Sequence, residues 1–292
     1  MKKRLLVMLL ALAMGLTLAA CSGGEDKKPD SSSSAPTASP SAGGESAAPA
    51  ESAPAGDESD LAYVKDKGTL VVGITNFEPM DYQDANGQWI GFDADMAKAF
   101  AASLGVEVEF SEITWDYKVF ELEAKNIDCV WNGMTLNDEV MAAMGTSVPY
   151  CQNAQVLVVP ADKAGDFENL TSLEGLNVAV ESGSAGEDAA EALGAATIPV
   201  QKQADTLLEV SAGTSDAAVI DLLMAGAMIG EGTSYPDMTY TVELTTEEYG
   251  AGFRQGSDLA AALDEFFNAA YADGSMMDIA KQYGVQESII AR

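Results

Sequence analysis

Apolar and polar positions along residues 61–292 predict two successive runs of strands and helices. Apolar stretches such as Thr69–Thr75 predict buried strands, and apolar residues at helical spacing in Ala94–Leu104 predict an amphipathic helix. The first run continues with strands at Val106–Phe110, Ile127–Asn132 and Gln155–Val159 and helices at Asp116–Lys125 and Asp138–Met144. The second run has strands at Asn177–Val180, Thr197–Val200 and Ala217–Ile220 and helices at Glu187–Leu193, Asp205–Ala212 and Leu222–Ile229. We expect an α/β protein with two lobes, each containing a largely parallel sheet.

The turn after the strand Asn177–Val180 has the composition of an anion site. Ser182–Gly186 consists of small residues and is followed by the start of a predicted helix. A helix N-terminus presents unpaired backbone N–H groups, and ligands of α/β sheets bind beyond the carboxyl ends of strands. The acidic Glu187 and Asp188 also suit the positive end of the helix dipole without any ligand.

Residues 1–20 have the pattern of a secretory signal peptide. A basic start, Lys2 to Arg4, precedes the apolar run Leu5–Leu16, which is too short to span a membrane. The ending Leu18-Ala19-Ala20-Cys21 resembles the lipobox of bacterial lipoproteins, in which the cysteine is lipidated; the alternative is a plain signal peptide with an incidental cysteine. Residues 21–60 are mostly Ser, Ala, Pro, Gly and acid, which predicts a disordered tether. We expect the folded part to be extracytoplasmic and anchored to the cell membrane through Cys21.

Charge and composition exclude several classes of function. The formal net charge is −31, and nucleic acid requires basic surface, so we expect no nucleic-acid partner. The sequence contains no histidine, which removes the usual general base, the Ser–His and Cys–His nucleophile arrangements and the commonest zinc ligand. We therefore predict no catalytic residue, no metal and no cofactor.

Two cysteines remain once Cys21 is assigned to the anchor. An oxidising exterior would permit a disulfide between Cys129 and Cys151. Cys129 lies in the apolar run Ile127–Trp131, however, which favours a buried thiol. Both alternatives are open on the sequence.

The stretch "GFDADMAKAFAASLGVEVEF" and six other segments within Leu61–Gly284 resemble, in order and spacing, the extracytoplasmic solute-binding proteins of ABC importers, polar amino-acid family. The segment "GFDADMAKAFAASLGVEVEF", Gly91–Phe110, resembles the signature of that family. The others are "LVVGITNFEPMDY", "IDCVWNGMTLNDE", "VPYCQNAQVLVV", "LEGLNVAVESGSAG", "SDAAVIDLLMA" and "YGAGFRQGSDLAAALDEFFNAAYADGSM". A lone Gly-Phe-Asp would be weak evidence, but seven segments in the right order are strong.

The resemblance implies a two-lobed clamp of type II, like periplasmic binding proteins, with two crossing hinge strands. Residues 61–153 and 246–292 would form the first lobe and residues 154–245 the second. The hinges would be Asn153–Leu157 and Glu243–Tyr249, and closure would bring both lobes onto the solute. The implied partners are a small ligand, an amino acid by preference, and an ABC permease in the membrane, with the binding protein itself a monomer.

The resemblance also implies the ligand-binding residues. Phe77 and Trp115 match the aromatic walls, and Asp221 matches the acid that pairs with the α-amino group, although a helix N-cap would look the same. The turn that offers backbone groups and a hydroxyl to the charged end of the ligand corresponds to Asn132, Gly133, Met134 and Thr135. The residues whose N–H groups would face the α-carboxylate are Ser184, Ala185 and Gly186.

One position departs from the family. Five residues after Thr135 the family has an arginine that grips the carboxylate bidentately, and this sequence has Val140. A charge-assisted hydrogen bond contributes roughly 1.5 to 3 kcal/mol, so the carboxylate site is weaker than the family norm unless Arg254 or Lys118 reaches it.

Three alternatives to an amino-acid carrier stay open. A binder of peptides, polyamines or other cationic solutes is favoured by the acidic balance and by Val140. A ligand sensor for a membrane receptor would use the same fold. An enzyme would need a pair of acids for proton transfer, and Asp221 with Glu181 is the pair that the sequence offers.

Overall fold

The computed structural model describes residues 59–292. The predicted signal peptide, Cys21 and all but the last two residues of the predicted tether lie outside the described residues. Helix α1 begins at Asp60, and the Ser59 hydroxyl caps it by accepting a hydrogen bond from the Ala62 N–H at 2.9 Å. The tether predicted to end at residue 60 therefore overlaps the fold by these two residues. Within 59–292, no helix combines the length and apolarity needed to cross a membrane.

The described residues form ten α-helices and thirteen strands. The helices are α1 Asp60–Lys67, α2 Phe92–Leu104, α3 Lys118–Glu123, α4 Asp138–Ala143, α5 Ala164–Phe167, α6 Ala185–Ala192, α7 Gln203–Ala212, α8 Leu222–Met228, α9 Leu259–Asp273 and α10 Ser275–Gln282. The strands are β1 Thr69–Ile74, β2 Tyr82–Gln83, β3 Trp89–Ile90, β4 Glu107–Glu112, β5 Cys129–Thr135, β6 Gly145–Thr146, β7 Cys151–Asn153, β8 Gln155–Pro160, β9 Asn177–Glu181, β10 Ala196–Val200, β11 Ala217–Asp221, β12 Met238–Glu243 and β13 Glu247–Phe253.

Two sheets organise these elements into two lobes. The first sheet has the strand order β4-β1-β5-β13-β6, with β7 also paired to β13, and the second has the order β10-β9-β11-β8-β12. Strands β4, β1 and β5 are parallel, as are β10, β9 and β11, whereas β13, β8 and β12 run antiparallel to their neighbours. The expected two-lobed α/β architecture is confirmed. Each sheet is mixed rather than purely parallel, because β13 in the first sheet and β8 and β12 in the second run antiparallel to their neighbours, and the sequence predicts β8 as a strand without its direction.

The chain crosses between the two sheets twice. It leaves β7 of the first sheet and enters β8 of the second through Ala154, and it returns from β12 to β13 through residues 244–246. Both crossings lie next to the carboxyl ends of β5 and β11, because β13 pairs with β5 and β8 pairs with β11. The crossings and the sites predicted beyond those strands are therefore neighbours.

Four predicted helices differ from the structure at their starts, and two of them, α2 and α7, begin two residues earlier than predicted, at Phe92 and Gln203. Helix α6 begins at Ala185, two residues earlier than predicted, because Ser184 accepts a hydrogen bond from the Glu187 N–H at 3.2 Å. The Glu187 carboxylate accepts one from the Gly183 N–H at 2.8 Å, so the two side chains satisfy exposed donors at this end. The helix predicted from Asp116 is a short 3₁₀ turn followed by α3.

An aromatic cluster fills the core behind the first sheet. Trp131 and Tyr150 each lie 5.4 Å, between ring centroids, from Phe267 of α9. All three side chains are fully buried. They fix β5 against α9, and with it the carboxyl end of β5 that faces the second lobe.

Cys129 and Cys151 are both buried and both free thiols. Burial raises the pKa of each thiol well above its ordinary value. The buried-thiol alternative is the one that the structure contains.

Arg254 joins distant parts of the first lobe. Its guanidinium lies 3.0 Å from Asp60 of α1 and 3.7 Å from Asp128, which precedes β5. It also donates to the carbonyl oxygens of Leu122 at 3.2 Å and Ile127 at 2.9 Å. This one side chain therefore satisfies acceptors from three segments.

We predict that Arg254→Gln lowers the free energy of unfolding by about 3 to 5 kcal/mol, because it leaves the buried Asp60 without its cation, whereas Asp128 keeps its ion pair with Lys67 at 2.6 Å. The control is Lys281→Gln, which removes an exposed pair with Asp278 and should cost less than about 1 kcal/mol. Urea unfolding of both variants measures the difference, and equal losses would contradict the structural role of Arg254.

Candidate functional site

A cavity of about 130 Å³ lies between the two lobes, beyond the carboxyl ends of the parallel strands. One water needs roughly 10 to 15 Å³ of such space, so the cavity holds on the order of ten non-hydrogen atoms, as an amino acid has. The predicted site residues on its wall are Phe77, Trp115, Asn132, Gly133, Met134, Thr135, Ser184, Ala185 and Asp221. Gly186 is the predicted residue that does not line it.

The Asp221 side chain accepts four side-chain hydrogen bonds at the cavity. It ends β11 and is 4% exposed. Although it occupies the N-cap position of α8, its side chain makes no capping hydrogen bond. Its Oδ1 accepts from the Tyr249 hydroxyl at 2.5 Å and from Asn153 Nδ2 at 2.6 Å. Gln155 Nε2 donates to Oδ1 at 3.0 Å, and Gln203 Nε2 donates to Oδ2 at 2.6 Å.

The chain crossings supply most of these donors. Asn153 ends β7, Gln155 begins β8, and Glu247 begins β13. The two amides also donate to Glu247 Oε1, at 2.6 Å and 2.8 Å, so each amide bridges Glu247 and Asp221. Burial, and then the charge of Glu247, raise the pKa of Asp221 well above its ordinary value. All donors to Asp221 are uncharged, so a cationic group beside it would stabilise the ionised form.

Phe77 and Trp115 form two walls from the first lobe. Phe77 follows β1 and packs edge-on against Tyr249, with ring centroids 6.3 Å apart. Trp115 packs in an apolar cluster with Met134 and Val140. Both aromatic residues are buried and line the cavity.

The polar groups of Asn132 and Gly133 hydrogen-bond to residues of the first lobe. Asn132 Oδ1 accepts from the Thr75 N–H at 3.0 Å and the Thr75 hydroxyl at 2.7 Å. Its Nδ2 donates to Asp81 at 2.8 Å, and the Gly133 N–H donates to Asp93 at 2.7 Å. The Asn132 amide and the Gly133 N–H are therefore already bonded within the protein, and position β5 rather than facing the cavity as free donors.

Gly133 is glycine because of its contacts. Its φ is +53°, and a Cβ there would lie 2.5 Å from the Phe77 ring. Met134 is fully buried, so it reaches the cavity only at the edge of its apolar cluster. Thr135 is half-buried and brings a hydroxyl to the wall.

The N-terminal end of α6 offers fewer donors than the sequence predicted. The Ser184 N–H donates back to the Glu181 carbonyl at 3.2 Å. Ala185 and Gly186 are the first two residues of the helix, and their N–H groups have no intrahelical acceptor. Gly186 lies behind the wall, where a Cβ would be 2.9 Å from Gln155 Oε1. Its small size lets that amide pack against the helix.

The position of the missing arginine is on the cavity wall. Val140 of α4 lines the cavity and is 6% exposed. Arg254 does not line it and is held by Asp60 and Asp128 instead. Of the two basic residues considered as substitutes, only Lys118 reaches the cavity.

Lys118 links the lobes. Its Nζ donates to the Gly183 carbonyl of the second lobe at 2.9 Å and lies 4.9 Å from the Trp115 ring centroid. Gly183 has φ +70° and touches Asp116, whose Oδ1 would lie 2.7 Å from a Cβ there. A second contact between lobes is the ion pair of Lys202 with Glu112 at 2.6 Å. The lobes are thus closed on the cavity.

The cavity is acidic. Among the described residues on its wall, Lys118 is the one basic side chain. The acids are Asp116, Glu139, Glu181, Asp188 and Asp221. Glu181 is 4% exposed, and burial raises its pKa to about 8. Burial lowers the pKa of Lys118, against the opposing effect of the surrounding acids.

Sequence reasoning missed Gln155 and Gln203 and considered Glu181 only for the enzyme alternative. All three line the cavity. Glu181 ends β9, Gln155 begins β8, and Gln203 begins α7 soon after β10. Polar residues at strand ends could have indicated these positions as site residues. The two glutamines were missed because amides carry no charge and no family motif includes them.

Curated relatives of this chain are amino-acid-binding proteins. The L-cystine-binding protein TcyJ of Escherichia coli (strain K12) is 26% identical over 231 residues, covering 78% of this chain and 86% of TcyJ. The arginine-binding extracellular protein ArtP of Bacillus subtilis (strain 168) is 26% identical over 226 residues, covering 74% and 86%. An enzyme is also similar: the cyclohexadienyl dehydratase of Pseudomonas aeruginosa is 26% identical over 173 residues, covering 58% and 65%.

Solved structures agree with the fold. The crystal structure of a mutant of ArgBP from T. maritima superposes with a TM-score of 0.71 at 30% identity, covering 77% of this chain and 98% of that one. The family model of the bacterial extracellular solute-binding proteins, family 3, matches residues 70–286. That span includes both sheets and nearly every residue on the cavity wall, so the whole clamp is accounted for by one family. The chain belongs to family 3 of the bacterial extracellular solute-binding proteins.

Proposed function

We propose that the protein captures an amino acid between its two lobes and delivers it, as a monomer, to an ABC permease in the membrane. The observation that carries this proposal is Asp221, a buried acid on the cavity wall whose four side-chain donors are all uncharged and whose pKa is raised by burial and then by the charge of Glu247. A ligand α-amino group supplies that cation. The names of the relatives, which bind cystine and arginine, support an amino acid as the solute.

The other groups of the ligand have matching walls. Phe77 and Trp115 would hold its apolar stem from two sides. The α-carboxylate would be bound by the Thr135 hydroxyl and by the N–H group of Ala185, with Lys118 on the same wall to contribute charge. We therefore place the carboxylate at the N-terminal end of α6.

The crossings at Asn153–Leu157 and Glu243–Tyr249 would act as the hinges. Asp221 accepts hydrogen bonds from Asn153, Gln155 and Tyr249 in these segments. The acid that would bind the ligand and the two hinges therefore share one hydrogen-bond network. Closure would be favoured by contacts that form only when both lobes meet, such as that of Lys118 with Gly183.

We propose binding rather than catalysis. The pair Asp221 and Glu181 does line the cavity, and one relative is a dehydratase. However, every oxygen of Asp221 is engaged by uncharged donors, and the sequence has no histidine to act as a base.

Asp221→Asn should lower the affinity for the bound amino acid by more than tenfold. The reason is that removing one partner of a buried charged pair costs about 3 to 5 kcal/mol. The ligand is first identified by a thermal-shift screen of all amino acids, since a ligand that binds only the folded state raises its melting temperature. Titration calorimetry then compares the variant with Asp278→Asn, a remote exposed acid. Unchanged binding by Asp221→Asn would remove the assignment.

A second candidate is a cationic solute without a carboxylate, such as a polyamine. The acidic wall and Val140 favour it, since the arginine of the family is absent. Ligand sensing for a membrane receptor would use the same binding step and differ only in the partner.

Val140→Arg separates the two ligand classes. An added guanidinium on the cavity wall should tighten binding of an amino acid about tenfold through its carboxylate. It should weaken binding of a polyamine, and more so at low salt, where screening is least. Dissociation constants at two salt concentrations measure the effect.

We also propose that Cys21 carries the lipid anchor and that the signal peptide ends before it. Lipid attachment binds a membrane through buried methylenes, each worth about 0.8 kcal/mol. Cys21→Ser should therefore move the processed protein from the membrane fraction to the soluble fraction. Membrane retention of a normally processed variant would contradict lipidation.

A further inference from the structure

Glu181 is a buried acid with an open hydrogen-bonding position. It ends β9, next to β11 in the sheet, so it shares the edge on which Asp221 lies. Its side chain lines the cavity, is 4% exposed, and its Oε1 has no hydrogen-bond partner among the described residues. A buried carboxylate oxygen without a partner is costly, and a ligand donor in the cavity that Glu181 lines would satisfy it.

The nearby cation of the protein does not neutralise Glu181. Lys118 of α3 lines the same cavity and its charge lowers the pKa of Glu181. However, the Lys118 ammonium donates to the Gly183 carbonyl, and the two side chains form no ion pair within 4.0 Å. The Gln203 backbone also lowers the pKa of Glu181, and Asp205 of α7 raises it. Burial outweighs both favourable effects, so the pKa is about 8.

The surroundings of Glu181 add negative charge rather than remove it. Asp221 of β11, Asp188 of α6, and Glu139 of α4 line the same cavity. Asp221 is engaged by four uncharged donors, and Asp188 is exposed at the rim. A second positive group in the cavity would therefore meet an attractive potential with Glu181 as its buried partner.

We propose that Glu181 is a specificity-determining residue that binds a second cationic group of the ligand, so that the ligand is a basic amino acid of the size of arginine or lysine. The inference rests on the proposed function, in which Asp221 takes the α-amino group. Two acids on one sheet edge then hold the two cations of one ligand, and the aromatic ring of Trp115 covers the stem between them. A neutral side chain would leave Glu181 unpaired.

The test compares L-arginine with L-citrulline, its neutral isostere, by titration calorimetry on the purified protein. The wild type should bind arginine at least tenfold more tightly than citrulline. Glu181→Gln should lower arginine affinity by about tenfold or more and bring the ratio close to one. Asp278→Asn removes the same charge from an exposed position that does not line the cavity and should change either affinity less than threefold.

Stability supplies a readout that a purely structural residue would not give. The folded-state pKa of Glu181 is above its unfolded value, so the folded protein holds an extra proton and becomes less stable as pH rises from about 4.5 towards 8. Glu181→Gln removes this cost. The melting temperature of the variant should exceed that of the wild type, by a margin that widens from pH 5 to pH 8, while arginine affinity falls.

The outcomes separate the two proposals. A wild type that binds citrulline as well as arginine, or a variant that keeps the wild-type ratio, overturns the role of Glu181 and leaves the capture of an amino acid standing. A wild type that binds no amino acid overturns the proposed function itself. The wild-type ratio decides the inference even if the variant does not fold.

Discussion

The structure depends on keeping the Asp221 carboxyl buried at the junction of the two lobes. Burying a carboxylate without hydrogen-bond partners would be strongly unfavourable in free energy. Four uncharged donors, from β7, β8, β13 and α7, hydrogen-bond to Asp221 and offset this penalty. Because three of these donors belong to the crossing segments, the acid, the crossings and the cavity form one unit. A cation in the cavity therefore acts on the same network that joins the lobes.

Lys118 is a second charged side chain that both lines the cavity and connects the two lobes. Lys118 spans the lobes through the Gly183 carbonyl, and Gly183 must be glycine because Asp116 packs against its Cα. The side-chain contacts of Lys118 with Gly183 and of Lys202 with Glu112 between the lobes are polar, and a ligand that touches both lobes adds contacts that exist only in the closed form. Val140 and the acids leave this cavity more negative than a site built around an arginine would be.

Much of the fold was predictable and part of the site was not. Periodicity and turn chemistry gave both lobes, and Asp221, Phe77 and Trp115 lie on the cavity wall where the motifs placed them. Periodicity could not show that the Gly133 and Ser184 N–H groups turn inward, because this depends on Asp93 and on a carbonyl one turn earlier. Nor could it show that Arg254 forms an ion pair with Asp60, because the two residues are far apart in the sequence and no local pattern connects them.

The most direct test of the account is a crystal structure of the protein with the amino acid that binds most tightly in solution. The account predicts one ligand between the lobes, with its α-amino nitrogen within hydrogen-bond distance of Asp221 and its stem between Phe77 and Trp115. A ligand bound outside this cavity, or one that turns its carboxylate towards Asp221, would contradict it.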